Sequence, residues 1–419
     1  MAQNIIITNI RELIQILPPE TRTVRGYDMQ HLECIKDGFL TISKGLISGF
    51  GKMYELSLET HCKNIVIDAR ERIVMPAFCD SHTHCVFANW RESEFVDKLN
   101  GLTYEEIALR GGGILNSANQ LANYSSSKLY DDAYNRLENM AKYGTGAVEI
   151  KSGYGLTVDS ELKMLRVIKQ LKEKSSLTIK STFLGAHAIP SNYKSNPQKY
   201  IDLIINQMLP AVHNEQLADF VDVFCDTGFF SPKQTSQILD AAQKYGLVPK
   251  IHANELGLTG GVQVGVKHNA LSVDHLEHLS QVEIDVLINS QTMPTVLPGA
   301  SLFLGLPNAP IRKMIDQGLP IALASDYNPG SSPSGNMQLI VSLGSLIYRM
   351  LPSETIHATT INAAYAMGLE KTHGSITIGK KANIIITQPM LSINYLPYAF
   401  GDNKIETVIL NGEIHHTKL

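Results

Sequence analysis

A chain of 419 residues that is 44% hydrophobic and 18% charged can bury a sizeable core, which excludes a disordered polypeptide. Its formal net charge of −4 leaves no basic excess for neutralising a nucleic-acid backbone, although a local basic site for a small anion stays open. No apolar run approaches the ~18 residues of a membrane span, and MAQNIIITNI lacks the marks of a signal peptide.

The five cysteines, Cys34, Cys62, Cys79, Cys85 and Cys225, are odd in number and show no C-x-x-C spacing. That suits reduced thiols and a cytoplasmic location. Residues 1–75 read as strands and turns, in NIIITNI, GFLTISKGLISGFG and KNIVIDARERIVMP. Residues 76–370 alternate strands with helices. The strand stretches are RIVMPAFCD, GAVEIKSGYG, TIKSTFLGAHA, DFVDVFCD, VPKIHANE, LSVDHLEH, TMPTVLPG and PIALASDYNPG. Their continuous apolar character is that of strands covered on both faces. DSELKMLRVIKQLKEK, Asp159–Lys174, is amphipathic with acids early and lysines late, and SPKQTSQILDAAQKYGL opens on a Ser-Pro helix start. Residues 371–419 return to strands, in GSITIGKKANIIITQP and IETVILNGEIHH.

Eight strands alternating with helices predict a closed (β/α)8 TIM-like barrel over 76–370. An open doubly wound sheet is the alternative, weakened by the lack of a Gly-rich phosphate turn after the first strand. The two end segments have too few strands for separate cores. They are expected to pair into one composite small β-sandwich domain, 1–75 with 371–419.

In such a barrel the active site lies at the C-terminal strand ends. Those ends carry Asp80, His82 and His84; Lys151 and Tyr154; His187; Asp226; His252 and Glu255; His275, Glu277 and His278; and Asp326. A single histidine is more often a hydrogen-bonded core residue, but histidines at four strand ends converge on one mouth. His82 and His84 share a side of their strand because side chains alternate with period two. With His252 and Asp326 they make an N3O donor set suited to one zinc or iron ion. Such an ion brings the pKa of its water to about 7. Glu255 is placed to move a proton and His275 to polarise a carbonyl under attack, with Asp326 a further proton carrier. Cys79 and Cys85 flank the His pair, and packing is the expectation for them.

The set His-x-His, a later His with Glu three residues on, a further strand-end His and a final Asp resembles the amidohydrolase superfamily, in its mononuclear branch. A binuclear member needs a carboxylated bridging lysine, and the KSGYG context of Lys151 argues against that. HTHCVFANWRESEF, GGGI, EIKSGYGL, FLGAHAIP, HANE, VDHLEH, PTVLPGASLFL, SDYNPGSSPSGNM and TTINAAYAMGL, spanning 82–369, together resemble the imidazolonepropionase family. The resemblance implies a hydrolase of cyclic-amide C–N bonds in histidine degradation, converting 4-imidazolone-5-propanoate to N-formimidoyl-L-glutamate. It implies a homodimer and substrate contacts at Arg91, Tyr154, His187, Glu255, Asn328, Gly330 and Ser331. Arg91 suits the propionate tail, and the Asn328–Ser331 turn offers backbone N–H groups for an anion. The chain departs from the family pattern at Ala77, at Ser81 and in the ANW before Arg91, none of which removes a reacting side chain. RGGGIL, Arg110–Leu115, lacks the Lys-Ser/Thr of a phosphate loop and reads as a loop beside the mouth. A deaminase of a nucleobase-like cyclic amidine is the rival activity, and an inactive scaffold the rival of another class.

Overall fold

The computed structural model describes residues 4–57, 65–102, 106 and 110–418. Cys62 and His61 lie outside the described residues.

Two sheets organise the described residues. The first holds β1 (Ile5–Ile14), β2 (Cys34–Ser43), β3 (Leu46–Lys52), β4 (Ile65–Asp68) and β5 (Ile73–Pro76). The second holds β6 (Phe78–Thr83), β7 (Thr145–Lys151), β8 (Thr178–Ala186), β9 (Phe220–Cys225), β10 (Val248–Ala253), β11 (Ser272–His275), β12 (Met293–Val296) and β13 (Ala322–Leu323). The chain then rejoins the first sheet with β14 (Ile384–Thr387), β15 (Ile405–Leu410) and β16 (Glu413–Thr417).

The two ends of the chain meet through β5, which pairs parallel with β1 and antiparallel with β14. Period-two alternation explains the join. Val74, Ile384 and Ile386 enter the core of the small β unit with Ile5, Ile7 and Leu40. Ile73, Met75 and Ile385 point the other way and pack into the barrel core. A sheet buried on both faces needs runs such as NIIIT and NIIIT again near the C-terminus.

RIVMPAFCD, read above as one strand, is two. β5 stops at Pro76, which has no N–H to continue a ladder. The Ala77 N–H bonds Asn383 O at 2.8 Å, and the chain then enters the barrel as β6.

The barrel strands run parallel in sequence order, β6 to β13. The eighth is only two residues long, and the ring closes through irregular main chain. The Asp326 N–H donates to His82 O at 3.0 Å, and the His84 N–H donates to Tyr327 O at 2.9 Å. Asp80 accepts from the Ser325 N–H at 2.9 Å and its hydroxyl at 2.5 Å. Helices cover the outside, and several of them start at side-chain caps. Thr157 caps Val158–Lys174, and Ser231 with Gln234 forms a capping box before Pro232–Gln243. Among the described residues no helix is long and apolar enough to cross a membrane.

Candidate active site

His82 lies near the end of β6 and His84 just past it, with their Nε2 atoms 3.2 Å apart. Each Nε2 lies close to Asp326 Oδ1, at 3.4 Å from His82 and 3.5 Å from His84. His252, from β10, completes a buried trio whose ligand atoms lie within 4.8 Å of one another. Burial and the neighbouring Lys151 and histidines hold the His82 imidazole well below its usual pKa, and burial with His187 and His252 does the same for His84. Both rings are therefore neutral and present lone pairs. His252 Nε2 is buried with no hydrogen-bond partner among the described residues. Lone pairs facing one another across a carboxylate, with one orphaned nitrogen, form a donor set that fits a single divalent cation.

Backbone strain turns this ring of residues inward. Asn254 (φ 59°), His275 (φ 86°), Leu276 (φ 72°) and Asp326 (φ 52°) all hold the left-handed region that side chains avoid. Hydrogen bonds fix the strained turn after β11: Leu276 N–H to Ala253 O at 3.1 Å and His278 N–H to Asn254 O at 2.9 Å.

Glu255 and His275 face each other beside the trio, with Oε2 3.6 Å from Nε2. On its other side His275 Nδ1 is 3.6 Å from Glu277 Oε2, and Glu277 is held by the Ser301 hydroxyl at 2.7 Å. Burial pushes the Glu255 carboxyl up to about 8, against the pull of His275. Burial draws His275 down, but Glu255 and Glu277 outweigh it and hold the ring above its usual value. The two raised values belong to one coupled pair, so its members share protons near neutral pH and Glu255 can both take and give one. Asp226 accepts from the Leu256 N–H at 2.8 Å and so steadies the turn carrying Glu255.

His84, His252, Glu255, His275 and Asp326 line a cavity of about 430 Å³ whose wall also includes Arg91, Tyr154, His187, Asn328, Gly330 and Ser331. His82 sits behind the wall. Phe95, Phe224, Phe229 and Phe303 make much of the remainder apolar. The Tyr154 ring lies 5.4 Å from the His187 ring, and His187 stacks on His84 at 5.1 Å with 12° between planes. His187 Nδ1 is bonded to Gly153 O at 3.0 Å, and burial draws this ring down to about 3.

The Arg91 guanidinium occupies the space that a side chain at Gly330 would take. A Cβ at Gly330 would fall 1.2 Å from Nη2, so only glycine leaves room for the guanidinium. Arg91 Nε is buried, has no hydrogen-bond partner among the described residues, and lies 3.8 Å from Glu94 Oε2. Glu94 in turn accepts from the Gly113 N–H at 3.1 Å and from Asn116 Nδ2 at 2.9 Å, tying the Gly-rich loop to the mouth. One expectation is corrected here. The Gly330 and Ser331 N–H groups do not face the cavity as an anion nest, because both donate to Asn328 Oδ1 at 2.8 Å. Asn328 folds the turn around itself, as Asn side chains do in turns, and its Nδ2 donates to Asp326 Oδ2 at 2.9 Å.

Apart from Lys151, the layer of buried charge beneath the histidines was not singled out from the sequence. Asp274 Oδ2 lies 2.7 Å from His82 Nδ1, and Asp222 Oδ2 lies 2.9 Å from His252 Nδ1. Lys151 bridges the two, 2.8 Å from Asp222 and 3.6 Å from Asp274, and meets Glu149 at 2.6 Å. Lys250 joins Glu149 and donates to Ser81 O at 3.0 Å. The signal was present: Glu149 and Lys151, Asp222, Lys250 and Asp274 are charges inside otherwise apolar strands. Despite burial, these carboxylates keep Lys151 protonated, above its usual pKa, whereas a bridging carbamate requires a neutral amine. Lys151 thus fits a mononuclear site. Cys79 and Cys85 are buried, and burial pushes their thiols to about 12 and about 11, as packing residues.

Comparison with known proteins agrees with this geometry. The amidohydrolase family model matches residues 73–415. The chain is 53% identical to the imidazolonepropionase of Christiangramia forsetii over 98% of this chain and 99% of that protein. It is 54% identical to that of Flavobacterium johnsoniae over 98% of this chain and 99% of that protein. Among solved structures it is similar to E. coli guanine deaminase, with a TM-score of 0.72 and 15% identity over the whole of both chains. A zinc-bound adenosine deaminase from Xanthomonas campestris, at 14% identity, gives a TM-score of 0.71 over 98% of this chain and 92% of that one. At such low identity these two structures bear on the fold alone. From the strand-end histidines to the full-length relatives, the chain belongs to the amidohydrolase family and, within it, to the imidazolonepropionases.

Proposed function

We propose that this chain is an imidazolonepropionase that hydrolyses the ring amide of 4-imidazolone-5-propanoate to N-formimidoyl-L-glutamate in histidine degradation. One observation carries the reading: a single cavity is lined by His84, His252 and Asp326 of the donor set, by the Glu255–His275 pair and by the Arg91 guanidinium packed against Gly330. A nucleobase has no carboxylate for that guanidinium.

His82, His84, His252 and Asp326 would hold one zinc or iron ion, whose Lewis acidity makes water nucleophilic near neutral pH. Arg91 pairs with the propionate and fixes the ring in the cavity. Tyr154 and His187 flank the ring, and the turn Asn328, Gly330, Ser331 closes the tail end. Water adds to the ring carbonyl carbon while Glu255, with Asp326, accepts its proton. His275 donates to the carbonyl oxygen as negative charge develops there. Glu255 then passes the proton to the departing ring nitrogen, the ring C–N bond breaks and the ring opens, and the carbonyl carbon stays in the product as its new carboxylate, whose remaining proton goes to solvent.

The enzyme is read as a cytoplasmic homodimer, with a barrel unit of 76–370 carried on a β unit of 1–75 and 371–419. The test is to incubate purified protein with the substrate and follow the ring's ultraviolet absorbance, before and after chelation and metal return. Metal-dependent loss of absorbance is expected. An unchanged spectrum with the metal-loaded protein, or ammonia release from guanine or cytosine instead, refutes the reading.

A further inference from the structure

The segment from Cys85 to Trp90 joins the second histidine of the cluster to Arg91. Main-chain bonds fix its ends: His84 N–H to Tyr327 O at 2.9 Å and Arg91 N–H to Pro329 O at 3.3 Å. Its middle is gripped from a different element. Arg136, on helix Ser126–Lys142, donates from Nη1 to Cys85 O at 3.0 Å and to Phe87 O at 2.9 Å. The same guanidinium lies 3.4 Å from the Phe87 ring centre and 5.4 Å from that of Trp90. Trp90 packs edge-on against Phe87 at 4.7 Å.

Packing alone does not call for arginine here. Leu129, Ala133, Leu137 and Met140 on the same helix fill the core with apolar atoms, and burying a guanidinium among them is costly. What arginine adds is a rigid planar fork that bonds two carbonyls and stacks on an aromatic face at once. We propose that Arg136 is a positioning residue for Arg91, setting the curve of Cys85–Trp90 and hence the place from which Arg91 reaches the substrate carboxylate. The proposal rests on the reading of Arg91 as that anchor.

The test uses the metal-loaded enzyme and two competitive inhibitors, imidazole-4-propanoate and its neutral propanamide. The ratio of their inhibition constants reports the carboxylate contact, since ring and metal contributions cancel. Arg91→Met is expected to abolish the preference for the propanoate. Arg136→Met is expected to cut it about tenfold, since a misplacement of roughly 1 Å is costly in an oriented site. Metal content stays native, and Arg136→Lys, which keeps charge and a donor, restores part of the preference. Arg136→Gln, uncharged but hydrogen-bonding, serves if the Met variant does not fold, with the same expected loss. Faster hydrogen exchange across residues 85–91 accompanies the loss. A native ratio in folded Arg136→Met or Arg136→Gln overturns the proposal alone. A native ratio in Arg91→Met overturns the anchor reading and the proposal together.

Discussion

Substituting Gly330 with alanine isolates the anchor from the rest of the site. The new methyl would lie 1.2 Å from Arg91 Nη2, 1.9 Å from Cζ and 2.2 Å from Nε. Gly330 does not use a left-handed backbone, so backbone strain does not add to the clash with Arg91. An ordinary carbon contact needs about 3.5 Å, so the guanidinium must move by roughly 2 Å. It can do so cheaply, because it ends a flexible side chain and Glu94 stands 3.8 Å away to receive it. Fold and metal content should therefore survive. Binding should not, since a charge-assisted hydrogen-bonded contact contributes about 1.5–3 kcal/mol. That is roughly a 10- to 150-fold loss in kcat/KM, expected mainly in KM. Steady-state kinetics on the imidazolone, with metal content and melting temperature measured on the same preparation, decide the matter. A native KM in folded Gly330→Ala refutes the placement of Arg91 as the carboxylate anchor.

Three further outcomes are expected. Glu255→Gln keeps its shape and metal but loses kcat by about 10²- to 10⁴-fold; a variant with native kcat would remove Glu255 from proton transfer. Asp274→Asn, which weakens the partner of His82 Nδ1 at 2.7 Å, should lower metal affinity about 10- to 100-fold in chelator competition. Unchanged affinity there would deny the buried carboxylate a role in orienting the ligand. His373 is buried between Thr372 and Thr178, and burial with Lys381 and Lys380 draws its pKa to about 3. A depressed folded-state pKa means its contribution is intact above about 6.5 and is lost as pH falls from there toward 3, by roughly 2 kcal/mol at pH 5. His373→Gln should therefore flatten the decline in stability between pH 7 and 5; parallel curves for variant and parent would contradict this.

Much of the site could be read from the chain because it hangs on strand periodicity. His82 and His84 are two apart, and His252, His275 and Asp326 each close a strand-like stretch, so a barrel topology alone brings them together. What escaped is set by side-chain direction and backbone torsion. No spacing rule reveals that Asn328 bends back to take the Gly330 and Ser331 N–H groups, or that Arg91 crosses Gly330. The Asp222–Lys151–Asp274 layer depends on inward positions from three strands meeting below the histidines, a relation that is three-dimensional and not serial. The break of RIVMPAFCD into two strands follows from Pro76 and the bond from Ala77 to Asn383, a partner some three hundred residues away.

Closure of the barrel through Asp80, His82 and His84 against Ser325–Tyr327 has a temporal consequence. Ser325 and Asp80 are 245 residues apart in sequence, and Asp326 is the last donor to leave the ribosome. A nascent chain carrying His82, His84 and His252 already offers three nitrogens, but the seam that seats the carboxylate does not yet exist. The strands β14 and β15 that steady β5 emerge later still. Catalytic competence should therefore wait for the late segments that form this seam and the β14–β15 support, however early the histidines are made.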